Sequence, residues 1–163
     1  RMPYGSGDGG KQVEMVEVWG IEPESLDRVL GYRSKLYWKR PSEAEIATVS
    51  ETDPRRDPFF DREAEGMALR AKDGTDGVVL GIEISPFNRR QRDGSYRNRF
   101  GWFMPDQRVT LTLVPISGKG TVAEPRERLF PIVNEFRSGV YQIDKNRVLV
   151  PLSEAQQMLR LAA

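Results

Sequence analysis

The chain contains no cysteine and no histidine. Without cysteine there is no disulfide, no thiol nucleophile and no thiolate-bound zinc. A reduced cytosol and an oxidising periplasm both tolerate that absence, so the redox compartment stays open. Without histidine there is no Ser-His or Cys-His nucleophile pair and no imidazole metal site. No run of about 18 apolar residues occurs, so no segment reads as a membrane-spanning helix. No signal peptide is visible. An excess of one charge is lacking as well: 25 Lys and Arg stand against 24 Asp and Glu, a net charge of +1. A chain-wide electrostatic footprint for nucleic acid is therefore absent. Carboxylate, Lys, Tyr or Arg chemistry remains open, and so does simple binding.

What is there suffices for a fold. The 163 residues are 38% hydrophobic and 30% charged, which is polar but not disordered. A chain of this length buries roughly 70% of its unfolded surface as one domain and needs no staples. Residues 1–12 read as a flexible, glycine-rich lead-in, and 13–163 as a single domain. The first residues, Arg1-Met2, suggest a piece of something longer.

The coarse pattern predicts strands at Val13–Trp19, Val78–Ile82, Val109–Val114 and around Arg128–Phe136. Two further short strands are expected at Gly139–Tyr141 and Arg147–Val150, split by the turn Asp144-Lys145-Asn146. Leu26, Val29 and Leu30 share one face of a short helix over 24–32. A second helix is expected near 61–71. A third ends the chain, with Ser153 and Gln156 spaced as a capping box. Ile21-Glu22-Pro23 reads as a turn. Few apolar anchors occur over 33–76, which reads as a long loop or insertion, and a second insertion lies near 85–105. The class is α+β, mostly antiparallel β with a few short helices.

Three motifs invite chemistry. Gly5, Gly7, Gly10 and Lys11 approach a phosphate loop, but Gln12 replaces the required Ser or Thr and a strand follows instead of a helix. A flexible terminus explains them better. Eight acids (Glu43, Glu45, Glu51, Asp53, Asp57, Asp61, Glu63, Glu65) against Arg55, Arg56 and Arg62 give residues 42–65 a local charge of −5. Their spacing is not that of a calcium loop, so a solvated face is expected and no metal site. Asp57 and Asp61 could act as an acid/base pair, as could any pair in an acidic loop. The third is basic: Arg89, Arg90, Arg92, Arg97 and Arg99 against Asp93, with Asp93-Gly94 as a hairpin turn and Phe87, Tyr96, Phe100, Trp102 and Phe103 around it. It could bind phosphates and stack bases, or be a charged hairpin with its aromatics turned inward. Arg outnumbers Lys 19 to 6 throughout, so arginine is this chain's default cation.

The C-terminal part resembles a known family. Phe136-Arg137-Ser138-Gly139-Val140-Tyr141-Gln142-Ile143-Asp144 precedes Val148-Leu149-Val150-Pro151-Leu152-Ser153-Glu154-Ala155-Gln156. That order resembles the "F-x-S-G-x-Y-x-x-D … V-P-L-x-x-A-Q" run in extracytoplasmic domains of ABC-transporter permeases of the lipoprotein-releasing LolC/LolE, MacB or FtsX-like type. Four further pieces agree in order: Trp19–Glu24 with "G-I-D-P-E", Gly77–Gly81 with "G-I-I-L-G", Asp106–Val114 with "G-D-x-V-x-L", and Arg128–Val133 with "R-x-F-x-V-V-G". Departures are Ile84-Ser85 in place of "L-A", Asn134 in place of Gly, and the two longer segments.

The resemblance implies a non-catalytic domain, without cofactor, on the periplasmic side of the inner membrane. It would lie between the first two of four membrane helices, as the small α/β-rich lobe of a two-lobed domain. It would engage substrate or a periplasmic carrier or adaptor, in lipoprotein release or efflux. Its other partners would be a cytoplasmic ATPase subunit, acting away from this domain, and a second permease copy or paralogue. No nucleic acid is expected. The family's partner-recruiting hairpin corresponds to Pro115, Ile116, Ser117, Gly118, Lys119, Gly120, Thr121, Val122, Ala123, Glu124 and Pro125, with Arg126 and Arg128 at its base. Two prolines, two glycines and few anchors after a good strand also fit a plain loop. A different class of reading is a soluble β-rich module binding nucleic acid or acidic ligands through Arg89–Arg99. A carboxylate-dependent hydrolase is a third, and it would need converging, pKa-shifted acids.

Overall fold

A computed structural model describes residues 14–51, 53–85, 88–93, 96–98, 105–113 and 126–162. The α+β class holds: among the described residues six helices accompany a five-stranded sheet and a separate two-stranded hairpin. The main sheet contains β1 (Glu17–Ile21), β2 (Val78–Gly81), β5 (Arg108–Leu113), β6 (Arg126–Phe136) and β7 (Arg147–Pro151) in the order β1-β7-β2-β6-β5. β1 runs parallel to β7, and β2 parallel to β6; β2/β7 and β5/β6 are antiparallel. β3 (Asn88–Arg90) and β4 (Tyr96–Asn98) form the hairpin expected around Asp93-Gly94. Gly94 itself lies outside the described residues.

Each of the three central strands contains a run of consecutive apolar residues because both faces of the sheet are covered. Val78, Leu80, Val148, Val150, Phe130 and Ile132 pack on one face with Tyr37, Trp38, Tyr96 and Met158 of α6 (Leu152–Ala162). Val79, Leu149, Val133 and Phe136 pack on the other with Ile21, Tyr32, Leu36 and Leu69. A bulge keeps this parity. Val78 pairs with Ile132 but Val79 with Asn134, so Val133 is the extra residue of β6.

Segment 33–76 gives more to the core than its composition promises. It includes all but the first residue of α2 (Tyr32–Lys35), α3 (Glu43–Ile46), two short 3-10 turns and α4 (Glu63–Ala68), and it buries Leu36, Tyr37, Trp38, Phe60 and Leu69. The capping box forms here, not at the last helix: Ser42 Oγ accepts from the Glu45 amide, and Glu45 accepts from the Ser42 amide. The last helix begins at Leu152, which places Ser153 inside its first turn. β1 continues through Ile21, and α1 (Pro23–Leu30) starts directly on Pro23. The strand expected at Gly139–Tyr141 is a correction: Tyr141–Asn146 is helix α5. The reason is Asp144. Its buried carboxylate accepts from the Ser138 amide (2.7 Å), the Ser138 hydroxyl (2.6 Å) and the Gly139 amide (3.2 Å), folding the chain back into a turn. Gly139 takes φ 89°, which suits glycine.

Candidate partner-binding ribbon

β5 and β6 form a ribbon of six pairs, from Arg108↔Pro131 to Leu113↔Arg126. Alternation puts Val109, Leu111 and Leu113 on the inner side with Phe130, Arg128 and Arg126. Thr110 and Thr112 face outward with Leu129 and Glu127. The ladder thus runs up to the two ends of the expected arm. Pro115–Pro125 themselves lie outside the described residues, as do Gly5–Lys11 of the lead-in.

Of the two arginines at the arm's base, Arg126 is exposed at the last pair. Arg128 is engaged inside the molecule. Its Nη2 donates to Glu154 Oε2 at 2.5 Å, and its guanidinium sits 5.8 Å from the Phe130 ring centre. Glu154, on α6, is buried. Burial pushes its carboxyl above the usual range, Arg128 pulls it back, and the neighbouring Asp76 carboxyl raises it again. Asp76 in turn accepts from Arg70 Nε at 3.2 Å. The Arg128–Glu154 pair therefore joins the root of the ribbon to α6, and the Arg70–Asp76 pair closes the turn before β2. Sequence reasoning missed this cluster. The legible signal was an acid, Glu154, on the helix face that also carries buried Met158.

A second polar centre sits in β6 itself. Asn134 Oδ1 accepts from the amides of Trp38 and Glu135, both at 2.8 Å. Its Nδ2 donates to the carbonyls of Trp38 (3.1 Å) and Arg62 (3.0 Å). One side chain so pins the 33–76 segment to the sheet. Gly66 must be small here, since an added Cβ would lie 2.9 Å from Leu36 and 3.0 Å from Asn134 Nδ2. On the opposite face Glu135 is wholly buried, and burial raises its pKa to about 8; the Asn88 amide and the Trp38 indole, both facing it, oppose the rise. Asn88 Nδ2 donates to both Glu135 Oε2 (3.1 Å) and the Ile82 carbonyl (2.7 Å), which fastens the β3–β4 hairpin to the sheet. The signal was present: a Glu inside the apolar run Leu129–Phe136.

The acidic stretch is used locally. Asp53 caps the first 3-10 turn and holds Arg55, whose guanidinium lies over Tyr37. Asp57 caps the second turn, Glu63 pairs with Arg33, and Glu65 with Arg62. Asp57 therefore serves a turn, and no carboxylate pair with Asp61 forms among the described residues. No group of three acids there could hold a metal ion, and no helix is long and apolar enough to cross a membrane. Tyr96, the one described aromatic of the basic hairpin, faces inward, giving its hydroxyl proton to Glu83 Oε1 at 2.7 Å and meeting Tyr37 edge-on. An open groove of about 620 Å³ runs between α1 and the start of α6, bordered by Ile21, Pro23, Arg28, Met67, Leu152 and Gln156.

No protein-family model matches the chain, and no curated protein matches it.

Proposed function

We propose that the chain is a non-catalytic extracytoplasmic domain of an ABC-transporter permease of the lipoprotein-releasing, MacB or FtsX-like type. In this reading it engages a substrate or periplasmic partner and is moved by ATP hydrolysis elsewhere in the transporter. One observation carries the proposal. The five segments that resemble the family are separate in sequence, and each coincides with a different strand of the five-stranded sheet or with that strand and its flanking helices: Trp19–Glu24 with β1, Gly77–Gly81 with β2, Asp106–Val114 with β5, Arg128–Val133 with β6, and Phe136–Gln156 with the end of β6, α5, β7 and α6. The sheet is open, with β1 and β5 at its edges, as suits one lobe of a larger domain.

β6 supports the mechanical role in this reading. It is the longest strand, it pairs with β2 and β5, and its first residues border the 115–125 segment. A partner held by that arm pulls on the ribbon, and the Arg128–Glu154 contact passes the displacement to α6. The parent reading frame tests the reading. A transmembrane segment should precede this chain and three should follow it; a frame without them overturns the proposal.

A further inference from the structure

The β3–β4 hairpin presents positive charge that the described molecule does not neutralise. Arg89, Arg90 and Arg92 are exposed, and among the described residues none of them has an ion pair. Arg97 occupies the register position directly opposite Arg89. The hairpin is short, with three paired residues in each strand. It is held from beneath. Asn88 is tied to Ile82 and buried Glu135, and Tyr96 to Glu83 and Tyr37. Buried contacts thus fix a two-stranded platform that carries exposed Arg89 and Arg90 and, at its turn, exposed Arg92.

We propose that this hairpin docks on an anionic phospholipid surface. Guanidinium is weakly hydrated and matches phosphate oxygens in a two-pronged geometry, and clustered basic residues gain strength additively near an anionic bilayer. A nucleic acid fits the charge distribution less well. It tracks along a protein and needs a basic path, whereas this chain carries a net charge of only +1 and a segment at −5. A flat layer of headgroups needs only the hairpin. The proposal goes beyond the permease reading and is tested apart from it.

The test is co-sedimentation of the purified chain with phosphatidylcholine vesicles, with and without phosphatidylglycerol. Binding is expected only to the anionic vesicles and should weaken as salt rises. The variant R89E/R90E/R92E should lose at least about tenfold in apparent affinity. The charge-matched control R28E/K35E/R40E, on exposed residues elsewhere, should stay within about twofold of the wild type on the same grounds. Circular dichroism checks that both variants fold. If the triple variant unfolds, the salt dependence of wild-type binding and the single substitution Arg92→Glu, at the turn, carry the test. Equal binding to both vesicle types, an unaffected triple variant, or a preference for single-stranded DNA over vesicles overturns the proposal.

Discussion

Glu135 is the residue on which the packing and the protonation of this chain meet. It is fully buried, with its pKa raised to about 8 by desolvation. The folded chain therefore holds a proton there that the unfolded chain releases near the ordinary carboxyl range. The stability from that proton is complete below the unfolded pKa and is lost as pH rises through about 8. Glu135→Gln keeps the hydrogen bond from Asn88 possible and removes the titration. Melting temperatures from acid to alkaline pH should fall less steeply for the variant than for the wild type; parallel curves would refute the assignment. Asn134, its neighbour, is uncharged and equally buried, and its side chain bonds to backbone amides and carbonyls. Asn134→Leu leaves the Trp38 and Arg62 groups without those partners. A loss of about 3 kcal/mol is expected in denaturant unfolding, with the largest rise in hydrogen exchange at Trp38. The run Leu129–Phe136 announced a strand but not that two polar residues inside it would be buried. That depends on the bulge at Val133, which turns Val133 and Asn134 to one face and Glu135 to the other.

At the scale of elements, close approach decides what the sequence tolerates. α5 lies so near β2 that a Cβ on Gly81 would stand 2.1 Å from the Asp144 carbonyl oxygen. Backbone cannot yield as a side chain does, so Gly81→Ala should cost several kcal/mol, about the size of a large overpacking penalty. Thermal denaturation measures it, and an unchanged melting temperature would contradict the packing. Gly20 makes the same demand against α6, where an added Cβ would lie 2.6 Å from Ala155 Cβ. Arg128 and Glu154 join ribbon to helix. Arg128→Ala leaves Glu154 beside Asp76 without its cation, an expected loss of about 2 kcal/mol once the partial exposure of Arg128 is allowed for. Adding Glu154→Gln should recover part of that loss, because the buried charge goes with it. A double-mutant cycle reads the coupling. These contacts were not legible beforehand, because a residue's neighbours across a sheet are set by strand order. The Ser138-Gly139 to Asp144 spacing was visible, but as a strand and a turn; three hydrogen bonds to one carboxylate made it a turn and a helix instead.

For the whole molecule, the permease reading makes the 115–125 segment dispensable for folding and necessary for contact. Deleting Ser117–Ala123 should leave the melting temperature within about 2 °C, since the ladder below Leu113↔Arg126 is untouched. In the full transporter the same deletion should weaken capture of the periplasmic partner. Unchanged capture by the deleted protein would remove the arm from the proposal.

The α+β class, most of the strands, the hairpin around Asp93 and the chemistries excluded by the lack of cysteine and histidine can be read from residue order alone. Apolar runs and turn residues carry that information locally, through backbone geometry and side-chain period. Packing in three dimensions sets the order β1-β7-β2-β6-β5, the pairing of Arg128 with Glu154 and the burial of Glu135. It also decides the part played by the 42–65 acids, which stay on the surface as expected while several of them serve as caps and ion-pair partners. Those outcomes depend on which segments meet in space, and a buried charge or a cap is defined by the groups around it.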